Sequence, residues 1–264
     1  MNIYIYYLCF SMNWYFNIPL EFQPEVVDAV IEKNIKENIP GYVCAVDCTN
    51  LSVAYENDFF MRVLSQSLVN KSDSSWIPVL INHLYGTNFS RYCGPDLFLN
   101  FIKKKSYKHM FLGSSQPILY GLRAELSKID PEIESMEFVE LPFLSVTEFD
   151  YKGIGDMINA NAPDLIWVAL GAPKQEQFMY FLKPYIKRGV MIGVGAVFNF
   201  YSGVKNVPKR APKWMINLRL EFLYRIFSEP QKQIMRCLKI LTILPKIYKE
   251  ERMRCIQKEV KSIG

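Results

Sequence analysis

Asp164-Leu165-Ile166-Trp167-Val168-Ala169-Leu170-Gly171-Ala172-Pro173-Lys174-Gln175-Glu176 is the stretch from which the fold is read. It opens with an apolar run of strand length, rich in branched and aromatic side chains. Successive strand residues face opposite sides, so a run without polar alternation fits a strand covered on both faces, as in a parallel sheet between helices. The chain then turns through Gly171 and Pro173 and presents Lys174, Gln175 and Glu176 at the start of a helix. In open α/β sheets this carboxyl edge is where ligands bind. Gly189-Val190-Met191-Ile192-Gly193-Val194-Gly195 repeats the arrangement, and its closing glycines let a ligand approach the backbone.

Working outward, strands and helices alternate over residues 26–200, which predicts an α/β fold with a mostly parallel sheet covered by helices. Residues 24–36 read as a helix with Val26, Val27, Val30 and Ile31 on one face, and Gly41 to Val46 as the first strand. Residues 52–68 read as one helix. A short strand leads into the polar turn Asp73-Ser74-Ser75, a helical or apolar segment begins at Trp76, and a helix opens at Arg91-Tyr92-Cys93-Gly94-Pro95-Asp96. Asp96 is placed to accept near the start of that helix. A strand at His109 is followed by a helix ending near Lys128. A strand and loop fall in 132–145, and a helix in 146–160.

Half of the 264 residues are hydrophobic and 22% are charged, which excludes a disordered chain. The net charge of +5 is unevenly placed: residues 204–264 hold 15 Lys/Arg against 5 Asp/Glu, the remainder 16 against 21. A basic tail on a mildly acidic body points to an anionic partner. Ile234, Leu238, Leu241, Leu244 and Ile247 recur at helical spacing among Lys232, Arg236, Lys239, Lys246 and Lys249, the pattern of a basic amphipathic helix lying on a membrane surface. The same stripe also suits docking on the protein's own body. Pro245 predicts a kink or break there. Cys9, Cys44, Cys48, Cys93, Cys237 and Cys255 show no metal-ligand spacing and read as reduced thiols of a cytoplasmic protein. The uncharged first twenty residues are interrupted by Tyr and Asn and are short for a membrane span.

In order along the chain come Gly171-Ala172-Pro173-Lys174-Gln175-Glu176, then Gly193-Val194-Gly195-Ala196-Val197-Phe198, Arg210-Ala211-Pro212-Lys213-Trp214, Leu220 to Arg225, and Glu229-Pro230. This series resembles the WecG/TagA/CpsF family, glycosyltransferase family 26, with its G-x-P-x-Q-E, G-x-G-A-x-F, R-A-P-x-W, L-E-W-x-Y-R and E-P pieces. Arg91, Gly94, Asp96 and Leu97 match the family's R-x-x-G-x-D-L, and Asp73-Ser74 its Asp-Gly pair. The resemblance covers about residues 15–250. It departs in three places: Ser74 replaces glycine, Asn199 stands where many members carry aspartate, and Asp47, Thr49 and Asn50 compete for the family's T-x-N. Members usually begin near Tyr15, so Met12 is the expected start and 1–11 an upstream extension. The expected organisation is then a Rossmann-like catalytic domain at 12–203 and a basic helical appendage at 204–264.

A glycosyltransferase must make an acceptor hydroxyl nucleophilic and stabilise a departing diphosphate, which calls for a base and for cations. His83 and His109 lie in ordinary contexts. Asp73 sits in a polar turn after a strand, and the resemblance puts a catalytic aspartate there; on the residues alone it is equally a turn aspartate bonding its own backbone. No D-x-D pair stands ready for a metal ion, and neither a metal nor another cofactor is expected. The resemblance implies that Arg210 and Arg225 stabilise the leaving diphosphate, although Arg210 would also suit pairing with a body carboxylate. Thr49, Asn50, Arg91, Gly94, Asp96, Gly171, Lys174, Gln175, Glu176, Gly193, Gly195 and Asn199 are the candidate substrate-binding residues, with Glu176 equally suited to cap its helix. The resemblance implies inverting, metal-independent transfer of an N-acetylhexosamine-type sugar from a UDP-sugar to a polyprenyl-diphosphate-linked saccharide at the cytoplasmic membrane face. The rival readings are a non-catalytic nucleotide-sugar-binding subunit and a nucleic-acid binder, the latter leaving the GAPKQE and RAPKW pieces without a purpose. Association into a homo-oligomer is left open.

Overall fold

The structure is a computed structural model. It describes residues 13–263 apart from 206, 208, 219 and 229, with backbone alone at 213, 217, 222, 225, 228, 232 and 258–263. Residues 1–12, where the expectations about the start of the chain and about Cys9 fall, lie outside the described residues.

Among the described residues eight strands form one sheet, in the order β1-β2-β4-β3-β8-β7-β5-β6. They are β1 (Trp14–Tyr15), β2 (Ile18–Glu21), β3 (Gly41–Val46), β4 (Val69–Ser72), β5 (His109–Gly113), β6 (Glu137–Val139), β7 (Leu165–Ala169) and β8 (Val190–Gly193). Among the described residues only the β1–β2 hairpin is antiparallel; every other pairing is parallel. Alternate strand residues feed two cores. Tyr42, Cys44, Ile166, Val168 and Met191 pack on one face, and Val43, Val69, Trp167, Val190 and Ile192 on the other. Coverage of both faces is why β7 carries no polar alternation.

The helices are α1 (Pro24–Lys36), α2 (Cys48–Glu56), α3 (Asp58–Ser65), α4 (Trp76–Tyr85), α5 (Gly94–Lys104), α6 (Gln116–Ser127), α7 (Tyr151–Asn161), α8 (Lys174–Leu182), α9 (Val197–Tyr201), α10 (Lys213–Asn217), α11 (Glu221–Ser228) and α12 (Pro230–Ile263). The helix expected over 52–68 is two, α2 and α3. Asn57 divides them by accepting from the Phe60 N–H at 2.9 Å, so its side chain starts a new helix where periodicity alone shows one. The helix expected from 146 starts at Tyr151, because Asp150 accepts from Gly153 N–H at 2.9 Å and fixes the cap there.

Of the kink or break expected at Pro245, the break is not found: α12 runs through it. Proline removes the bond that would reach the Leu241 carbonyl, but Leu241 is 71% exposed and Pro245 faces outward too, so water can take that place. Ile243 and Ile247, on the opposite side, are buried in the body core and hold the helix against α2 and α4. Among the described residues no helix is long and apolar enough to cross a membrane.

Candidate active site

The carboxyl ends of β3, β4, β7 and β8 meet at the middle of the sheet, where the connection from β3 leads outward to β4 while β8 arrives from the β7 side. Such a divergence opens a crevice. A cleft of about 280 Å³ fills it, walled by Asp47, Asp73, Gly94, Gly171, Gln175 and Gly195 from the sheet edge and by Lys209, Arg210, Tyr224 and Arg236 from the C-terminal segment.

Asp73 is positioned by the strand it follows. Its N–H donates to the Val46 carbonyl at 2.9 Å, extending the β3–β4 ladder by one residue. Its Oδ1 accepts from Lys71 Nζ at 2.8 Å and from Gly94 N–H at 2.6 Å, at the start of α5. Lys71 is wholly buried and also donates to the Tyr92 carbonyl at 3.0 Å. A buried ammonium needs such partners, since stripping it of water is costly otherwise. Ser74, in place of the family's glycine, lies just ahead of α4 and accepts from Trp76 N–H at 3.1 Å.

The Gly171 turn and the Gly195 turn form the opposite wall. Gln175 joins them: its own N–H donates to the Gly171 carbonyl at 2.9 Å, and its Oε1 accepts from Gly195 N–H at 3.0 Å. Gly195 has φ +55, a left-handed conformation that glycine adopts without a side-chain clash. Glu176 does not cap α8. It is fully buried, with Oε1 accepting from Gln175 Nε2 at 2.9 Å.

Of the residues anticipated from sequence, Asp73, Arg91, Gly94, Gly171, Gln175, Gly195, Asn199 and Arg210 line the cleft. Asn50, Gly193 and Glu176 lie behind it. Asn50 is buried and donates to the Ala45 carbonyl at 3.2 Å, while its N–H is capped by Asp47 at 2.8 Å, so Asp47 rather than Thr49 or Asn50 reaches the cleft. Lys174 lies over the rings of Phe143 and Phe149, 5.0 and 5.2 Å from their centres, outside the cleft wall. Arg210 pairs with a body carboxylate, Asp96, at 3.2 Å, and contacts Cys93 Sγ at 3.0 Å. Arg91 pairs with Glu221 of α11 at 3.0 Å. The Arg225 side chain lies outside what is described.

Burial pushes the Cys93 thiol up to about 11, its bond to Asp96 adding to the effect, so Cys93 remains a protonated donor at neutral pH. The two histidines are elsewhere. His109 is buried at the start of β5, accepts from Trp167 Nε1 at 3.1 Å, and is lowered by burial to about 4. His83 is exposed near the Tyr248 ring. Among the described residues no three His, Cys, Asp or Glu groups come together as a metal set.

Lys71, Cys93, Lys209 and Tyr224 were not anticipated. For Lys71 a signal existed: Lys-x-Asp at a strand end puts both side chains on the same face, in reach of each other.

The fold and this cleft define an α/β protein of Rossmann-like build that binds at a crevice on its sheet edge, with carboxylates on one wall and guanidinium groups on another. The chain belongs to the glycosyl transferase WecG/TagA/CpsF family, whose model matches residues 16–256. It is 29% identical over 230 residues to the N-acetylglucosaminyldiphosphoundecaprenol N-acetyl-beta-D-mannosaminyltransferase of Bacillus subtilis (strain 168), covering 86% of each chain. It is 30% identical over 203 residues to the enzyme of that name from Bacillus spizizenii (strain ATCC 23059 / NRRL B-14472 / W23), covering 75% of each. The chain is accordingly a glycosyltransferase.

Proposed function

We propose that this enzyme transfers an N-acetylhexosamine-type sugar, with inversion, from a UDP-sugar to a polyprenyl-diphosphate-linked saccharide during cell-surface polymer synthesis. The observation that carries this reading is the placing of Asp73 and Arg210 on the walls of one cleft, with the Gly171 and Gly195 turns between them. The names of the two Bacillus relatives support the acceptor class.

In this reading the diphosphate lies against the Gly195 turn, whose glycine permits close backbone approach. Arg210, Arg225 and Arg236 supply the positive charge. The acceptor hydroxyl enters from the β4 side and attacks the anomeric carbon from the face opposite the diphosphate. Asp73 takes the hydroxyl proton as the new carbon–oxygen bond forms. The old bond breaks, and its electron pair leaves on UDP, where the guanidinium groups stabilise the developing charge. Lys71 and the Gly94 N–H hold the Asp73 carboxylate in place for that transfer. Gln175 and the glycines hold the donor.

Arg210→Ala tests the cationic wall. Loss of one group that stabilises developing charge lowers turnover by roughly 100- to 1,000-fold. We expect that loss in a UDP-release assay, with Arg210→Lys in between, because lysine keeps the charge but not the planar fork. Unchanged turnover in Arg210→Ala would remove it from the leaving-group site.

We further propose that 204–264 act as an appendage that seats the enzyme on the inner face of the cell membrane. Ile247 is spent on the body core, but Trp214, Phe227, Met235, Leu238 and Leu241 are more than half exposed beside the basic side chains. Leu238→Glu/Leu241→Glu should abolish sedimentation with vesicles containing anionic lipid while leaving the melting temperature unchanged. Persistent sedimentation would show that this stripe is not the contact.

A further inference from the structure

Glu176, behind the cleft wall, is a group whose chemistry the proposed reaction leaves unused. Its side chain is fully buried behind the Gly171 turn, and among the described residues no donor stands within hydrogen-bond distance of its Oε2. A carboxyl in such a place is expensive unless it does something that an apolar residue of the same shape would not do.

What it does is visible in its neighbours. Gln175, 3% exposed, lines the cleft, and its amide is held at both ends: Nε2 donates to Glu176 Oε1 at 2.9 Å and Oε1 accepts from Gly195 N–H at 3.0 Å. Gly193 makes room for it, since a Cβ there would lie 3.0 Å from Gln175 Nε2. Glu176 requires the NH₂ end and Gly195 the oxygen end, so the amide has one orientation. The turns after β7 and β8 are thereby tied to one buried carboxyl.

We propose that Glu176 is the positioning residue of the donor subsite: it fixes the Gln175 amide, and it takes up a proton from solvent when an anionic diphosphate enters the cleft. This inference rests on the donor reading given above. Burial pushes the Glu176 carboxyl up to about 7, against the opposing pull of the Gln175 and Asn50 amides and of its own backbone N–H, and with the charge of Asp47 adding to the rise. It is therefore poised between its two states at neutral pH. The ionisable groups that face it are Asp47, at the end of β3, and Cys44, within β3, whose thiol burial and the Glu176 charge hold well above its usual range. Asn50 and Gln175 beside it are amides. A diphosphate on the other side of Gln175 adds negative charge, which favours the protonated carboxyl. By linkage, UDP binding then weakens as pH rises through the free enzyme's midpoint.

The test reads Gln175 directly. Its side-chain NH₂ resonances, assigned by their loss in Gln175→Met, should titrate in the free parent with a midpoint near 7 and stay flat in Glu176→Gln, whose amide oxygen still accepts but does not ionise. Saturating UDP should move the parent's midpoint upward. In calorimetry, UDP affinity should fall from pH 6 to pH 8 by roughly three- to ten-fold more in the parent than in Glu176→Gln. The titration of the UDP phosphate itself is common to both proteins and cancels in that comparison. Parent Gln175 resonances that do not move with pH, or that move equally in Glu176→Gln, would overturn the positioning role. Equal pH dependence of UDP binding in both would overturn the proton uptake. If UDP binds neither protein at any pH, the donor reading falls and takes proton uptake with it, while the amide titration still decides whether Glu176 positions Gln175. Because the parent's own titration is decisive, a Glu176→Gln chain that failed to fold would not rescue the proposal.

Discussion

Asp73→Asn should reduce sugar transfer by roughly 100- to 10,000-fold, the range that a general base contributes. Asparagine keeps the size and one acceptor oxygen, so Gly94 N–H at 2.6 Å and Lys71 Nζ at 2.8 Å retain a partner, but no group remains to take the acceptor proton. The substitution also removes the counter-charge of a lysine with no exposed surface. Breaking a buried pair from one side costs about 3–5 kcal/mol. Here the Asp73 side chain is 29% exposed, so water reaches the pair and about 1–3 kcal/mol is the better expectation. Lost activity and lost stability therefore arrive together, and a second variant separates them. Lys71→Met/Asp73→Asn removes both charges and fills the lysine's space with an apolar chain of similar length. Its melting temperature should recover most of the loss while transfer stays down. If the double variant regained activity with its stability, Asp73 would be a structural aspartate.

The second large effect is expected at Glu251, far along α12. Its carboxylate is 1% exposed and accepts from Phe16 N–H at 2.9 Å, Tyr85 Oη at 2.8 Å and Arg254 Nη1 at 3.1 Å. The first of these fixes the β1–β2 turn, where Phe16 and Asn17 both take positive φ, as a two-residue hairpin of this twist requires. One side chain thus joins the N-terminal hairpin, α4 and the C-terminal helix. Glu251→Ala leaves buried donors without that acceptor and opens a small void, a loss of about 3 kcal/mol. For a chain of this size that lowers the melting temperature by roughly 6–12 °C. Neighbouring Glu250, which meets Tyr55 Oη at 2.7 Å in the open, is the control, and Glu250→Ala should melt with the parent. Hydrogen exchange should quicken along residues 243–257 in Glu251→Ala alone. Unchanged melting and exchange would mean that α12 is held by Ile243 and Ile247 rather than by this carboxylate.

Much of this was legible before the fold was known, and the reason is local. The unalternating run of β7 and the glycine-ended run of β8 can be satisfied only inside a covered parallel sheet, and the residues after them then fall at its carboxyl edge. Asp73, Gly94, Gln175, Gly195 and Arg210, which line the cleft, stand out in the sequence because each follows a strand, opens a helix or belongs to a motif. What stayed hidden depends on distant partners. Lys71 looks like a solvated lysine on a short strand until Tyr92 and Gly94 are folded over it. Glu176 looks like a helix-capping acid, and only the packing behind the Gly171 turn buries it. Lys174 sits in the motif's centre, yet the exposed Phe143 loop turns it away from the cleft. The course of α12 was legible in part: docking of its apolar stripe on the body was one of two readings, and Ile247 takes it, but proline breaks a helix by default and the local sequence does not show that the body clamps the helix on both sides of Pro245.

A crystal structure with UDP bound tests the central claim most directly. The diphosphate should lie in the cleft between the Gly195 turn and Arg210, with Asp73 on the facing wall and open space between them for a sugar and an acceptor hydroxyl. UDP bound away from the β3–β8 edge, or bound there with its diphosphate turned from Arg210 and against Asp73, would contradict it.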